Sequence, residues 1–333
     1  MRGILHYRVA LSAAVLFLLG NLAWSGCADP PSTEAAASGG DYFGEEPPGL
    51  EARIFAGGEL TPDPLGEKNS FNLAFSPDGQ EMFFSYYKGT EEHPEPAYEI
   101  KTFKKRGDRW VGPTTAAFAG EYSDVDITFS PDGHTIFFAS DRHNPETADL
   151  DIYYATRERG GWSEPIHAGP EVNSMDGEVY PSISENGNLF FRSERPDGFG
   201  SADLYRAEWI DGRFTNVRNL GPQVNTEHHE SNSVIAADES FILFVTNRPA
   251  HEGIYHIYVS FQVGDNVWTP AVGLGPEVNS DAGAGTPTLS PDGHYLFFKK
   301  RQGPERGLYW ISTEIIQQIR ERVLGPSKSP SSS

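Results

Sequence analysis

The chain has 333 residues, a formal net charge of −21 at pH 7 and one cysteine, Cys27. So acidic a surface repels phosphate backbones and anionic lipid headgroups, which excludes nucleic acid as a partner and leaves membrane contact only through an attached lipid. Since one cysteine cannot form an intramolecular disulfide, an exported chain of this length depends on its apolar core. We also expect the chain to be a monomer.

The first 26 residues are typical of an export signal. Arg2 and Arg8 precede an apolar stretch over 9–19, which is too short to cross a membrane comfortably. Cys27 follows small residues at the end of this stretch, and the arrangement resembles the bacterial lipoprotein signal. The resemblance implies that Cys27 is lipidated and anchored in the cell envelope, in the periplasm or at the outer membrane. Plain cleavage and secretion is the alternative, since Trp24 departs from the usual aliphatic residue.

Residues 27–50 are rich in Pro, Ala, Ser, Gly and Glu, which predicts a disordered tether. Beyond it, a turn phrase recurs five times at intervals of 54, 54, 52 and 54 residues. Its second residues are Ser76, Ser130, Ser184, Ala236 and Ser290. A period near 50 residues indicates a radial repeat, so we predict an all-β, five-bladed β-propeller over residues 51–313.

Each repeat reads as a four-stranded antiparallel blade. In the third repeat the predicted strands are 177–184, 189–193, 203–209 and 213–219, joined by turn residues. The last repeat offers only three strands. Residues 52–59 resemble the fourth strand of the second repeat, so we expect this N-terminal strand to complete the last blade and close the ring.

A short helix is predicted after the last strand, within residues 314–333. Ser312 is its expected cap, and Gly325 with Pro326 ends it. Its apolar side is predicted to consist of Ile315, Ile316, Ile319 and Val323. The segment 327–333 reads as a disordered tail.

The second repeat carries its sequence signature in full: Ser130-Pro131-Asp132-Gly133, the aromatic pair Phe137-Phe138, and the ending Ser140-Asp141-Arg142. These residues resemble the TolB-like, WD40-like (PD40-type) β-propeller repeats of bacterial envelope proteins. The resemblance extends over about residues 51–313 and implies the propeller fold. It is specific for the class of repeat and implies no activity.

In a propeller the first strand of each blade lines the central channel, and period-two alternation predicts which side chains face it. Counting back from the turn serine, positions two, four and six before it should face the channel. The fourth-before residues are Asn72, Asp126, Tyr180, Asn232 and Thr286, and the sixth-before residues are Ser70, Asp124, Glu178, Glu230 and Ala284.

The sixth-before layer is the strongest candidate site. Asp124, Glu178 and Glu230 lie on consecutive blades, and converging carboxylates would need a shared cation, basic group or proton. His228 and His229 could join Glu230 as ligands of a divalent cation. The predicted ligand-binding set is therefore Asp124, Glu178, Glu230, Asp126, Tyr180 and Asn232. The alternative is that the three acids cap backbone amides of the connecting loops.

A ring of basic residues is predicted at the ends of the second strands, namely Lys88, Arg142, Arg195 and Arg248. Carboxylates at the starts of the third strands, Asp149 and Asp203, suggest ion pairs within each blade.

Two functions follow from these features. The first is a non-enzymatic envelope lipoprotein whose propeller is a binding platform for a protein or glycan partner. It is favoured because neither the Gly-x-Ser-x-Gly elbow of serine hydrolases nor a phosphate-binding glycine loop occurs in the sequence. The alternative is a carbohydrate-active hydrolase or lyase that uses the three acids, assisted by a metal.

Overall fold

The computed structural model describes residues 41–55, 70–88, 98–145, 149–248, 254–302 and 305–326. The predicted signal over 1–26, Cys27, most of the predicted tether and the tail over 327–333 lie outside these ranges. A short 3-10 helix at Asp41–Gly44 opens the described part. Within it, no helix is long and apolar enough to cross a membrane.

Within these ranges, twenty-two strands form five antiparallel sheets, one for each sequence repeat. Blade 1 contains β2 (Ser70–Phe75), β3 (Glu81–Tyr87), β4 (Tyr98–Arg106) and β5 (Arg109–Thr115). Blade 2 contains β6 (Asp124–Phe129), β7 (Thr135–Ser140), β8 (Asp151–Glu158), β9 (Gly161–Trp162) and β10 (Ile166–His167). Blade 3 contains β11 (Glu178–Ile183), β12 (Leu189–Ser193), β13 (Asp203–Ile210) and β14 (Arg213–Asn219).

Blade 4 contains β15 (Glu230–Ile235), β16 (Phe241–Thr246), β17 (His256–Gly264), β18 (Val267–Trp268) and β19 (Val272–Gly273). Blade 5 contains β20 (Ala284–Leu289), β21 (Tyr295–Gln302) and β22 (Glu305–Ser312), and β1 (Arg53–Ile54) is its fourth strand. In blades 2 and 4 the outermost strand is interrupted, so two short strands share the fourth position of the sheet: β9 and β10 in blade 2, and β18 and β19 in blade 4. The five-bladed propeller predicted from the repeat is confirmed.

The ring closes non-covalently at blade 5. Arg53 pairs with Trp310 and Ile54 with Tyr309, antiparallel, as the likeness between residues 52–59 and the second repeat predicted. These are the two pairs within the described residues, and residues 56–59 of the predicted strand lie outside them. The innermost strands contact one another in order, and β20 contacts β2. The free edges that an open stack of sheets would expose are thereby removed.

Each junction between neighbouring blades has its own apolar core. The second strands contribute side chains to all five cores, because a strand sandwiched between two blades is buried on both faces. Ile136, Phe138, Leu189, Phe190 and Phe191 are all 0 % exposed.

The C-terminal helix α1 (Glu314–Leu324) packs on the junction of blades 4 and 5. Ile316 and Ile319 are buried there and Ile315 packs partly against the same core, as predicted. Thr313 stands at the N-cap position without a side-chain capping bond, and the predicted cap, Ser312, accepts from the Glu314 amide through its hydroxyl (3.3 Å). One detail of the prediction was wrong, since Val323 is 37 % exposed.

The recurring turn phrase is explained by hydrogen bonds. In blade 2 the Ser130 hydroxyl donates to Asp132 (2.5 Å) and accepts from the Thr135 amide (2.9 Å), while Asp132 accepts from the His134 amide (2.9 Å). Gly133 has φ +71°, in the left-handed region that a side chain would strain. The residues of the turn phrase therefore stabilise the backbone of the turn. We call the face of the ring that carries these turns the turn face.

Candidate functional site

A β-bulge interrupts the innermost strand of every blade. The pairing register shifts between the fifth and second residues before the turn, or between the fifth and third in blade 1. The fourth-before residue has a positive φ in all five blades: Asn72, Asp126, Tyr180, Asn232 and Thr286. Such a bulge breaks the period-two alternation. The prediction that the sixth-before residues share a face with the fourth-before ones is therefore wrong.

Four of the five fourth-before residues, Asn72, Asp126, Tyr180 and Asn232, are joined by hydrogen bonds and line the channel cavity, and we call them the polar neck. Asn72 donates its side-chain amide to the Asp126 carboxylate and accepts from the Asn232 amide (3.4 Å). Tyr180 hydrogen bonds to Asn232 through its side chain and to Asp126 through its backbone. Asp126, Tyr180 and Asn232 thus form one hydrogen-bonded group, to which the structure adds Asn72. Asn72 occupies the same repeat position as the predicted three, so the register contained the signal that identifies it.

Asp126 is the buried carboxyl group of the neck. Its burial raises its pKa to about 7, although the Tyr180 amide, the Asn72 side chain and the Arg192 guanidinium oppose the shift. Burial also raises the pKa of Tyr180, with a further contribution from the Asp126 carboxylate. The neck therefore holds a carboxyl group that gains or loses its proton near neutral pH.

Above the neck, the channel opens on the turn face as a cavity of about 260 Å³. All five innermost strands and their turns line it, with hydroxyls of Thr128, Ser182 and Thr288 on the walls. The Ser233 hydroxyl also lies here, is buried, and makes no hydrogen bond within the described structure. The cavity therefore has apolar and hydroxyl-bearing walls and the acidic Asp126 at its floor.

Asp124, Glu178 and Glu230 are 0 % exposed and each is held within its own blade. Glu178 accepts from the Ser193 hydroxyl (2.6 Å) and from the hydroxyl and amide of Ser174 (both 2.7 Å). Glu230 has the same pattern with Thr246 and Thr226, and Asp124 accepts from the Gly120 amide (3.3 Å). These contacts match the alternative prediction, in which the three acids cap backbone amides of the connecting loops. If the acids bound a ligand, these hydrogen bonds would have to break.

The basic residues form ion pairs within their own blades, as predicted, but the three arginines pair with those acids and not with Asp149 and Asp203. Lys88 lies 3.9 Å from Glu99, near the start of the third strand of blade 1. Arg142 contacts Asp124 at 2.5 Å, and Arg195 and Arg248 contact Glu178 and Glu230 at 3.5 Å each. Each guanidinium also lies over rings of its own blade; that of Arg195 is 4.8 Å from the Tyr205 centroid. Burial raises the pKa of Asp124, opposed by Arg142, and burial likewise raises that of Glu178, opposed by hydrogen bonds from Ser193 and Ser174.

The residues predicted as metal ligands point to different neighbours. His228 lies 3.8 Å from the Glu227 carboxylate, while His229 Nδ1 is 3.3 Å from the Tyr255 hydroxyl. Burial and the nearby Arg192 lower the pKa of His229. Across the described residues, no group of three or more His, Cys, Asp and Glu side chains is placed to hold a metal ion. The structure does not assemble His228, His229 and Glu230 into a metal centre.

The fold and the channel define a class: a five-bladed β-propeller with an open cavity on the turn face and a polar neck below it. No protein-family model matches the sequence, and no curated protein does. The likeness to known proteins therefore lies in three-dimensional structure.

Solved structures of TolB share the fold. A putative TolB from Agrobacterium tumefaciens matches with a TM-score of 0.50 and 16% identity, over 74% of this chain and 77% of that chain. TolB from Acinetobacter baumannii matches with a TM-score of 0.47 and 18% identity, over 74% of this chain and 52% of that chain, so this chain spans about half its length. An α-L-arabinofuranosidase from Podospora anserina matches with a TM-score of 0.45 and 10% identity, over 83% and 93% of the two chains. The fold is that of a TolB-like β-propeller.

Proposed function

We propose that this chain is a non-catalytic binding platform of the bacterial envelope, anchored through Cys27, that holds a protein or glycan partner on its turn face. The observation that carries the proposal is the placement of the acids. The three carboxylates expected to do acid–base chemistry are buried and saturated by hydroxyls, amides and arginines of their own blades. The accessible features are instead a cavity and its rim, which suit recognition.

Site-specific photo-crosslinking tests the platform. Ala237 is exposed at the rim of the cavity, whereas Met175 is 92 % exposed and does not line it. Each is replaced by a photoreactive phenylalanine derivative in the full chain, expressed in its native cells. We expect a discrete crosslinked product from position 237 and none from position 175. Products of equal yield at both positions, or none at position 237, would contradict the proposal.

Asp126 favours a second candidate, a carbohydrate-active hydrolase or lyase. It is an acid with a pKa raised to about 7 at the floor of a cavity, and a group that titrates near the working pH suits general acid–base catalysis. The test compares turnover of a polysaccharide panel by the wild type and by Asp126→Asn. Activity that the substitution abolishes supports the enzyme, and activity equal in both, or absent from both, rejects it.

A further inference from the structure

A groove of about 500 Å³ runs between blades 2 and 3 and adjoins the rim of the channel cavity. Aromatic side chains from both blades form its walls: Phe137 and Tyr154 from blade 2, and Trp209 and Phe214 from blade 3. Trp209 meets Phe214 edge-on at 4.7 Å and Tyr154 at 6.0 Å, measured between ring centroids. Trp209 is 40 % exposed, so its ring remains accessible from solvent.

The polar part of the groove is acidic. Asp132 and Glu185 line it and are both exposed, and none of the described residues that line it is Lys or Arg. The Ser130 hydroxyl lowers the pKa of Asp132, so this carboxylate is charged at neutral pH. Aromatic faces beside carboxylates attract organic cations.

The two neighbouring junctions show what fills such a space in this fold. Between blades 1 and 2, Arg157 reaches across to Glu81 (2.6 Å), and its guanidinium lies 4.2 Å from the Trp162 centroid. Between blades 3 and 4, the buried Arg206 contacts Glu239 (3.6 Å) and Asp265 (2.9 Å) of the next blade. Each of the two neighbouring junctions is therefore bridged by an arginine of the chain itself.

At the junction of blades 2 and 3, aromatic residues occupy both arginine positions. Trp209 pairs with Phe214 as Arg157 pairs with Trp162, so Trp209 corresponds to Arg157. Tyr154 pairs with Phe137 as Arg206 pairs with Phe190, so it corresponds to Arg206. This junction has aromatic rings and the carboxylates Asp132 and Glu185, and no Lys or Arg among the described residues lines it.

We infer that the groove between blades 2 and 3 binds a basic side chain, arginine foremost, presented by a protein partner. The guanidinium would lie against Trp209 and Tyr154, with Glu185 and Asp132 as its counter-ions, as Arg157 lies against Trp162 and Glu81. This inference rests on the proposed platform and names the chemistry of its partner.

The probe is N-acetylarginine methylamide, with the citrulline analogue as its neutral isostere. Binding to the full chain is followed through the indole N–H resonance of Trp209, assigned by its loss in Trp209→Leu. We expect saturable shifts with arginine, at least tenfold weaker binding of citrulline, and about three- to tenfold weaker binding of arginine to Glu185→Gln. The matched control is Glu227→Gln, since Glu227 has an 86 % exposed side chain outside the groove and should leave the affinity unchanged.

A variant that supplies its own cation gives an independent test. Thr135 lines the groove at the position of Glu81 in blade 1, and Thr135→Arg should abolish binding of the probe while retaining the wild-type melting temperature. Equal affinity for arginine and citrulline, unchanged affinity in both Glu185→Gln and Thr135→Arg, or binding of maltotriose in place of arginine would overturn the inference. If position 237 crosslinks a partner while the probe fails, the platform stands and the groove assignment falls. If the probe binds but position 237 gives no crosslink, the groove assignment stands and the platform on the turn face falls.

Discussion

At the scale of single residues, the most informative positions are the five that adopt a left-handed backbone on the innermost strands. Asp126 has φ +60° and Tyr180 has φ +55°, a conformation that costs non-glycine residues about 1–2 kcal/mol each. In this conformation their side chains hydrogen bond to neck residues of other blades, Asp126 to Asn72 and Tyr180 to Asn232. The neck thus combines backbone strain with a buried carboxyl group.

Asp126→Asn should change how stability depends on pH. Below about pH 4 the carboxyl is protonated in both states; between about pH 4 and pH 7 it is ionised in the unfolded chain and still protonated in the folded one. Raising the pH through this window therefore favours unfolding, by at most about 1.4 kcal/mol per unit. In urea titrations, stability of Asp126→Asn relative to the wild type should rise from pH 5 to pH 8. A constant difference over that range would contradict the raised pKa.

Glu178→Ala should destabilise the fold, because it leaves Arg195 beside an empty, desolvated position. Removing one partner of a buried ion pair costs about 3–5 kcal/mol, and Ser174 and Ser193 would also lose their acceptor. The matched control is Glu227→Ala, which removes an exposed carboxylate and should change stability by less than about 0.5 kcal/mol. Equal denaturation midpoints for the two variants would show that Glu178 is not structural.

At the scale of elements, closure of the ring depends on a very short strand. Within the described residues, β1 contributes only Arg53 and Ile54 to the sheet, so its backbone pairing alone is weak. The next residue anchors it: Phe55 is 0 % exposed and lies 4.8 Å from Phe297 and 5.2 Å from Trp310, between ring centroids. Phe55 also lies 6.4 Å from Phe75 of blade 1, so we expect this aromatic contact between blades 5 and 1 to stabilise the closure.

Phe55→Ala should cost about 3–5 kcal/mol, the usual effect of deleting a fully buried phenylalanine. Ile54→Ala is the control, because Ile54 is 37 % exposed and its truncation should cost less than about 1 kcal/mol. Chemical denaturation measures both. If the two variants unfold at the same denaturant concentration, the closure does not depend on this aromatic anchor.

At the scale of the whole molecule, the acidic chain is expected to reach the membrane only through its N-terminus. Cys27→Ser removes the thiol that the lipoprotein-like signal would modify, so the full chain should move from the membrane fraction to the soluble fraction of native cells. Fractionation with immunodetection measures this, and the conservative Ser25→Ala is the control. A membrane-bound Cys27→Ser variant would contradict the lipid anchor.

The turn phrase and its period predicted five blades, because repeated backbone geometry requires repeated local residues. The likeness of residues 52–59 to the second repeat predicted the closing strand, and an apolar side with capping signals predicted the C-terminal helix. The same register predicted Asp126, Tyr180 and Asn232 as channel residues, and these do meet at the neck. Local sequence did not reveal the bulge that separates Asp124, Glu178 and Glu230 from the channel-facing residues. Non-glycine residues occupy the left-handed positions, so no glycine marks the bulge. Nor did it reveal the groove, because the correspondence of Trp209 with Arg157 appears only when strands are paired across blades. The sequence alone therefore determined the architecture, which depends on local periodicity, whereas tertiary structure decided which charges are satisfied within a blade and which junction remains open to a partner.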